Sequence, residues 1–131
     1  MAVVPPLTDD AAGANALAVF NDIRARRDTD YVNNFWRALA ADPALLAAIW
    51  GRLQTVMAPG ALDPLTKELI YVAVSVTNGC GYCTHSHTAA ARAKGMTDAQ
   101  HGELMAVIAM AAQTNALATA MQVKTDARFL A

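Results

Sequence analysis

The chain has 131 residues, which fits one domain and is long enough for a real core, since a domain of that size buries roughly two thirds of its unfolded surface. Its residues are 55% hydrophobic and only 16% charged, against about 25% charged in typical domains. That surplus predicts apolar surface covered by subunit contacts, with a merely alanine-rich helical protein as the plainer reading. The net charge of -1 excludes an electrostatic case for nucleic acid or for an anionic membrane surface.

The opening Met1-Ala2-Val3-Val4-Pro5-Pro6 lacks the charged and apolar regions of a secretory signal. The longest dense apolar run, Leu69 to Val76, is too short to span a bilayer. The expectation is a soluble, cytoplasmic protein. In that compartment a lone cysteine pair points to catalysis or metal binding more than to a structural staple.

Apolar residues recur at three and four rather than at two, which predicts an all-α fold of six or seven helices, with residues 1–131 forming a single domain. Thr8 is placed to cap a first helix with the stripe Leu17, Phe20 and Ile23. That helix ends in a charged run, where Arg24, Arg26 and Arg27 interleave with Asp22, Asp28 and Asp30 and read as a solvated helix end. A short second helix presents Val32, Phe35, Trp36 and Leu39. Asp42-Pro43 restarts the chain, with Asp as N-cap and Pro at the first helical position, and Leu46, Ile49, Trp50, Leu53 and Met57 follow at helical spacing. The two tryptophans read as core or interface anchors.

Asp63-Pro64 repeats the device and opens a helix from Leu65 to Asn78, apolar almost all round after Leu69, as in a buried central helix. Gly79 can stop it in the left-handed conformation. The next helix runs from Cys80 to Lys94 and ends at Gly95. Thr97-Asp98-Ala99-Gln100 is a capping box. Leu104, Val107, Ile108 and Ala111 are the expected inward face of the helix it opens. Gln113-Thr114-Asn115 is expected to divide the remainder, leaving Leu117 and Met121 on a last helix.

Both cysteines and two of the three histidines fall in Asn78 to His87. At about 100° per residue, Cys83 lies about 60° and His87 about 20° from Cys80, whereas His85 lies about 140° away. The three share a narrow face and His85 does not. A helix N-terminus favours thiolate, His87 can take a proton from Cys83 across one turn, and the two-residue spacer lets the sulfurs join and part. Glu68, bordering the apolar helix, is either a surface residue of a first turn or a buried carboxylate whose pKa is raised and which accepts protons from His87 or Cys80. Tyr82 reads as a packing or pocket-wall residue, and His101 as exposed. Cys80, Cys83, His85 and His87 are also zinc ligand types, although His85 points away from the others on a helix.

These residues resemble the alkylhydroperoxidase D-like branch of the carboxymuconolactone decarboxylase family. The signature there is a glutamate, a cysteine twelve residues on, a Cys-x-x-Cys pair and a histidine four residues later, matched by Glu68, Cys80, Cys83 and His87. The phrases Leu62 to Ile70, Asn78 to Cys83, Gly95 to Asp98 and Asn33 to Ala40 also match, so the resemblance runs from about Phe20 to Met110. It implies the all-α alkylhydroperoxidase D-like helical bundle, assembled as a trimer or hexamer. It also implies cysteine-dependent reduction of a small hydroperoxide, or disulfide reduction feeding a peroxiredoxin, with Glu68 and His87 as proton relay. Relatives commonly place a histidine between the two cysteines, where this chain has Tyr82. The decarboxylase branch lacks the cysteine pair.

The reading is a thiol peroxidase or disulfide oxidoreductase with catalytic Cys80, Cys83, His87 and Glu68, and Tyr82 at the pocket. Cys83 is assigned as the base-assisted thiolate and Cys80 as the partner that closes the disulfide. No metal or organic cofactor is required; an external dithiol of lipoyl or thioredoxin type is expected to restore the pair, and a peroxiredoxin is the other expected partner. The rival readings are a Cys/His zinc module and a non-enzymatic oligomeric interaction protein.

Overall fold

A computed structural model describes residues 2–130, all of them helical or loop. Six α-helices follow in order among the described residues: α1 Ala14–Arg27, α2 Asn34–Leu39, α3 Pro43–Met57, α4 Pro64–Thr77, α5 Gly81–Ala93 and α6 Asp98–Ala120. A 3₁₀ turn, Ala127–Phe129, closes the list. The all-α class is as the periodicity predicts. None of the described helices is long and apolar enough to cross a membrane. The backbone divides between Ala58 and Pro59 into two compact units.

In the first unit, Phe20 and Ile23 of α1, Val32, Trp36 of α2, and Leu46 and Trp50 of α3 form the buried cluster. The tryptophan rings meet edge-on at 5.2 Å, and the Trp50 indole N–H donates to Asp22 at 2.7 Å, which satisfies its one polar atom. Both are core anchors. Phe35, expected beside Trp36, is exposed, because consecutive residues of a helix diverge by about 100° and α2 buries only one stripe.

Another expectation fails here. Thr8 does not cap α1, which starts at Ala14 after Gly13; its hydroxyl instead accepts the Ala11 N–H at 3.3 Å in a separate turn. The arginine cluster does lie at a solvated helix end, with Arg26, Arg27, Asp28 and Asp30 exposed, and its cations are engaged there. Arg24 pairs with Asp9 at 2.7 Å, Arg26 with Asp22 at 2.8 Å, and the Arg27 guanidinium lies 5.2 Å from the Trp50 ring centre.

In the second unit the predicted caps form. Asp63 accepts the Thr66 N–H at 2.9 Å ahead of Pro64. Gly79 and Gly95 take φ of +69° and +95°, the left-handed region that ends α4 and α5. Thr97 and Gln100 close a reciprocal capping box. α5 packs chiefly on α4, and α6 also packs on α4.

α6, however, runs unbroken through Gln113-Thr114-Asn115. The Thr114 hydroxyl bonds back to the Met110 carbonyl at 3.0 Å, so it stays inside the helix instead of competing with it. α4 is not buried all round: Glu68, Val72 and Ser75 are buried, while Ile70 and Val74 are exposed. α6 has no buried residue, and Val107, expected inward, is 65% exposed. Periodicity locates an apolar face but does not say whether the same chain covers it.

Candidate functional site

α4 and α5 are joined by a tight turn in which the Cys80 N–H donates to the Ser75 carbonyl at 2.9 Å and left-handed Gly79 reverses the chain. That turn sets Cys80 as the N-cap of α5, half-buried, with its sulfur accepting the Cys83 N–H at 3.2 Å. Cys80 and Cys83 form a disulfide across this first turn, with Cα atoms 5.3 Å apart, inside the range a disulfide bridges without moving backbone. The pair therefore sits where unsatisfied helix N–H groups and the helix dipole favour a sulfur anion once the bond is opened.

One turn further on α5, the His87 ring lies against α4. Its Nδ1 is 2.7 Å from Glu68 Oε2, and the ring stacks on Tyr71, with centroids 3.5 Å apart and planes 16° from parallel. The other Glu68 oxygen, Oε1, accepts from Lys94 Nζ at 2.9 Å. Glu68 is only 4% exposed, so the surface alternative is ruled out.

Burial acts to raise the Glu68 carboxyl, but hydrogen bonds and charge from His87 and Lys94 outweigh it and hold the group below its ordinary value. This corrects the expectation of a raised pKa. Burial alone would raise the group, and the Lys94 cation with the His87 hydrogen bond offsets that cost. Glu68 is an anion at neutral pH, and His87 is bound to it through Nδ1.

The structure thus joins Glu68 to His87 and Cys80 to Cys83, and one turn of α5 connects the two pairs. His85 is exposed on another side, as its helical phase predicts, and Tyr82 is exposed between the cysteines. His101, expected exposed, is half-buried. Among the described residues, no group of three or more His, Cys, Asp and Glu side chains is arranged to hold a metal ion. Two residues escaped the sequence reading: Lys94 and Tyr71. Their signals were present in the spacing, since Lys94 lies seven residues after His87 and Tyr71 three after Glu68, each on the same helical face as that site residue.

With this geometry in hand, the comparisons are specific. The model of the carboxymuconolactone decarboxylase family matches residues 43–126. The chain is 60% identical to the crystallised alkylhydroperoxidase AhpD core of Rhodospirillum rubrum, with a TM-score of 0.96 over 100% of this chain and 98% of that one. It is 36% identical over 75 residues to the alkyl hydroperoxide reductase AhpD of Solibacter usitatus, covering 57% of this chain and 40% of that protein. The AhpD of Maricaulis maris is 39% identical over 70 residues, 53% of this chain and 38% of that protein. The matches span about two fifths of the length of these two reductases. The chain belongs to the carboxymuconolactone decarboxylase family, in its alkylhydroperoxidase D-like branch.

Proposed function

We propose that the protein is a thiol-dependent hydroperoxide reductase that cycles Cys80 and Cys83 between dithiol and disulfide. One observation carries the reading: a disulfide at the first turn of α5, one turn from a histidine held by a buried carboxylate. In the reduced protein, His87 Nε2 takes the Cys83 proton. The thiolate attacks one peroxide oxygen; an S–O bond forms, the O–O bond breaks, and the leaving alkoxide takes a proton to become an alcohol. The resulting Cys83 sulfenic acid is attacked by Cys80, an S–S bond forms and water leaves. Two thiols and one hydroperoxide give one disulfide, one alcohol and one water. An external dithiol, of lipoyl or thioredoxin type, then reduces the disulfide by exchange. Glu68 serves as the fixed anion that holds His87 by Nδ1, and exposed Tyr82 stands at the approach to the sulfurs. The chemistry calls for no metal and no organic cofactor.

The test is direct. Reduced protein given an organic hydroperoxide is expected to consume one equivalent, lose two thiols and regain the Cys80–Cys83 link. Stoichiometric zinc in protein purified without added metal, with thiols shielded from alkylation, would favour the zinc module instead. Thiols inert to peroxides, disulfides and alkylating agents in the folded protein would favour an interaction protein without catalysis.

The same protein is proposed to assemble with further copies of itself. Val107, Met110, Leu117 and Met121 fall within about 80° on α6 and are all exposed, and Ile70 and Val74 of α4 are exposed one turn apart. An apolar stripe of this length is unusual on a solitary chain. A V107D/M110D variant is expected to sediment as a single chain, where the parent sediments as a small oligomer. A parent that sediments as a single chain removes the proposal.

A further inference from the structure

We infer that Lys94 is a positioning residue of this site, whose ammonium on Glu68 Oε1 keeps the carboxylate a standing anion that orients His87 rather than a resting place for the thiol proton. The inference deepens the redox reading and rests on it for its functional meaning. Its geometry does not depend on the substrate.

A carboxylate offers two oxygens, and here each has its own partner: Lys94 at 2.9 Å on one and His87 at 2.7 Å on the other. With Glu68 almost fully buried, water has little part in the balance between them. Lys94 and His87 both act on Glu68 by charge as well as by hydrogen bond. Lys67 is next to Glu68 on α4, and α6, which also packs on α4, carries Asp98, His101 and Glu103. Asp98 is engaged by Arg92 at 2.7 Å.

Two consequences follow from chemistry alone. An ammonium has donors and no acceptor, so a proton on Oε1 competes with Lys94 for the same lone pairs, which disfavours protonated Glu68 at Oε1. A permanent carboxylate accepts from His87 Nδ1–H and so leaves the lone pair on Nε2. Lys94 also occupies the end of α5, where the carbonyl-rich terminus favours a cation. Its side chain is partly exposed, so substitution opens no core cavity.

A cation beside Glu68 opposes proton uptake at the carboxylate and at the imidazole bound to it. Removing that cation makes the pair bind protons more readily. In the oxidised protein, where the thiols are tied up, the His87 ring titration followed by NMR is expected to move to higher pH by about half a unit to one unit in K94M and K94Q, and to stay at the parent position in K94R. A purely structural role for Lys94 would leave the His87 ring titration at its parent position.

A measurement on the parent needs no variant. The Glu68 side-chain carboxyl carbon is expected to keep its ionised NMR shift around neutral pH, before and after reduction. Protonation of Glu68 on reduction, or an unmoved titration in both neutral variants, overturns the inference. Hydroperoxide consumption is scored separately: a parent that consumes none overturns the redox reading and leaves the NMR result standing.

Discussion

A Cys83→Ser variant is expected to lose hydroperoxide turnover by on the order of 10³-fold or more, because the hydroxyl that replaces the thiol has no accessible anion at neutral pH. The companion Cys80→Ser variant separates the two roles. It keeps the attacking sulfur, so it is expected to consume one equivalent of hydroperoxide and stop at a sulfenic acid that a dimedone-type reagent captures. Full turnover by Cys83→Ser would falsify the assignment, and a sulfenic acid captured on Cys80 would reverse the order. Stability does not confuse the result. The disulfide closes a loop of one helical turn, and the stabilisation a cross-link draws from the unfolded chain grows with loop length. Serine can also accept the N-cap hydrogen bond now taken by the Cys80 sulfur.

The second large effect concerns the proton. His87→Ala removes the base and is expected to cost about 10²–10⁴-fold in turnover at neutral pH, the usual range for general base catalysis. Glu68→Gln is expected to approach the same loss, although it changes one atom. Lys94 can bond only to the amide oxygen, which turns the amide NH₂ toward His87 Nδ1. Nδ1 must then accept, the ring proton moves to Nε2, and the nitrogen needed as base is already protonated. Adding Lys94→Met to Glu68→Gln frees the amide to turn round and is expected to recover part of the rate. Steady-state rates of the three variants, with ¹⁵N shifts of the His87 ring to identify the tautomer, check the chain of reasoning. A Glu68→Gln protein with parental rate and parental tautomer would show that Glu68 does not orient His87.

The helices and the cysteine pair were legible because local physics decides them. Asp63-Pro64 caps a helix wherever it is placed, Gly79 and Gly95 supply the left-handed residues that end α4 and α5, and Thr97 with Gln100 close their capping box within four residues. The phase of α5 puts Cys80, Cys83 and His87 on one face and His85 on another. Similar reasoning failed for Gln113-Thr114-Asn115, where polar residues that often break helices stayed in one, since the Thr114 hydroxyl found a carbonyl of its own helix. It also overstated how much of α4 and α6 the chain itself covers, because periodicity marks an apolar face without naming its partner.

What only the tertiary structure decided is the state of Glu68. By itself the sequence determined an all-α chain with a dithiol at a helix start, a histidine one turn on and a carboxylate twelve residues upstream. Whether that carboxylate was a surface residue, a raised acid or a standing anion depended on what α5 laid across it. The packing of α5 on α4 buries Glu68 and brings two partners from the same helix, His87 and Lys94, onto its two oxygens. Burial by itself would favour the neutral acid, and the two charged or hydrogen-bonding partners reverse the sign. Such a balance is set by distances of about 3 Å between helices, which no spacing along the chain encodes.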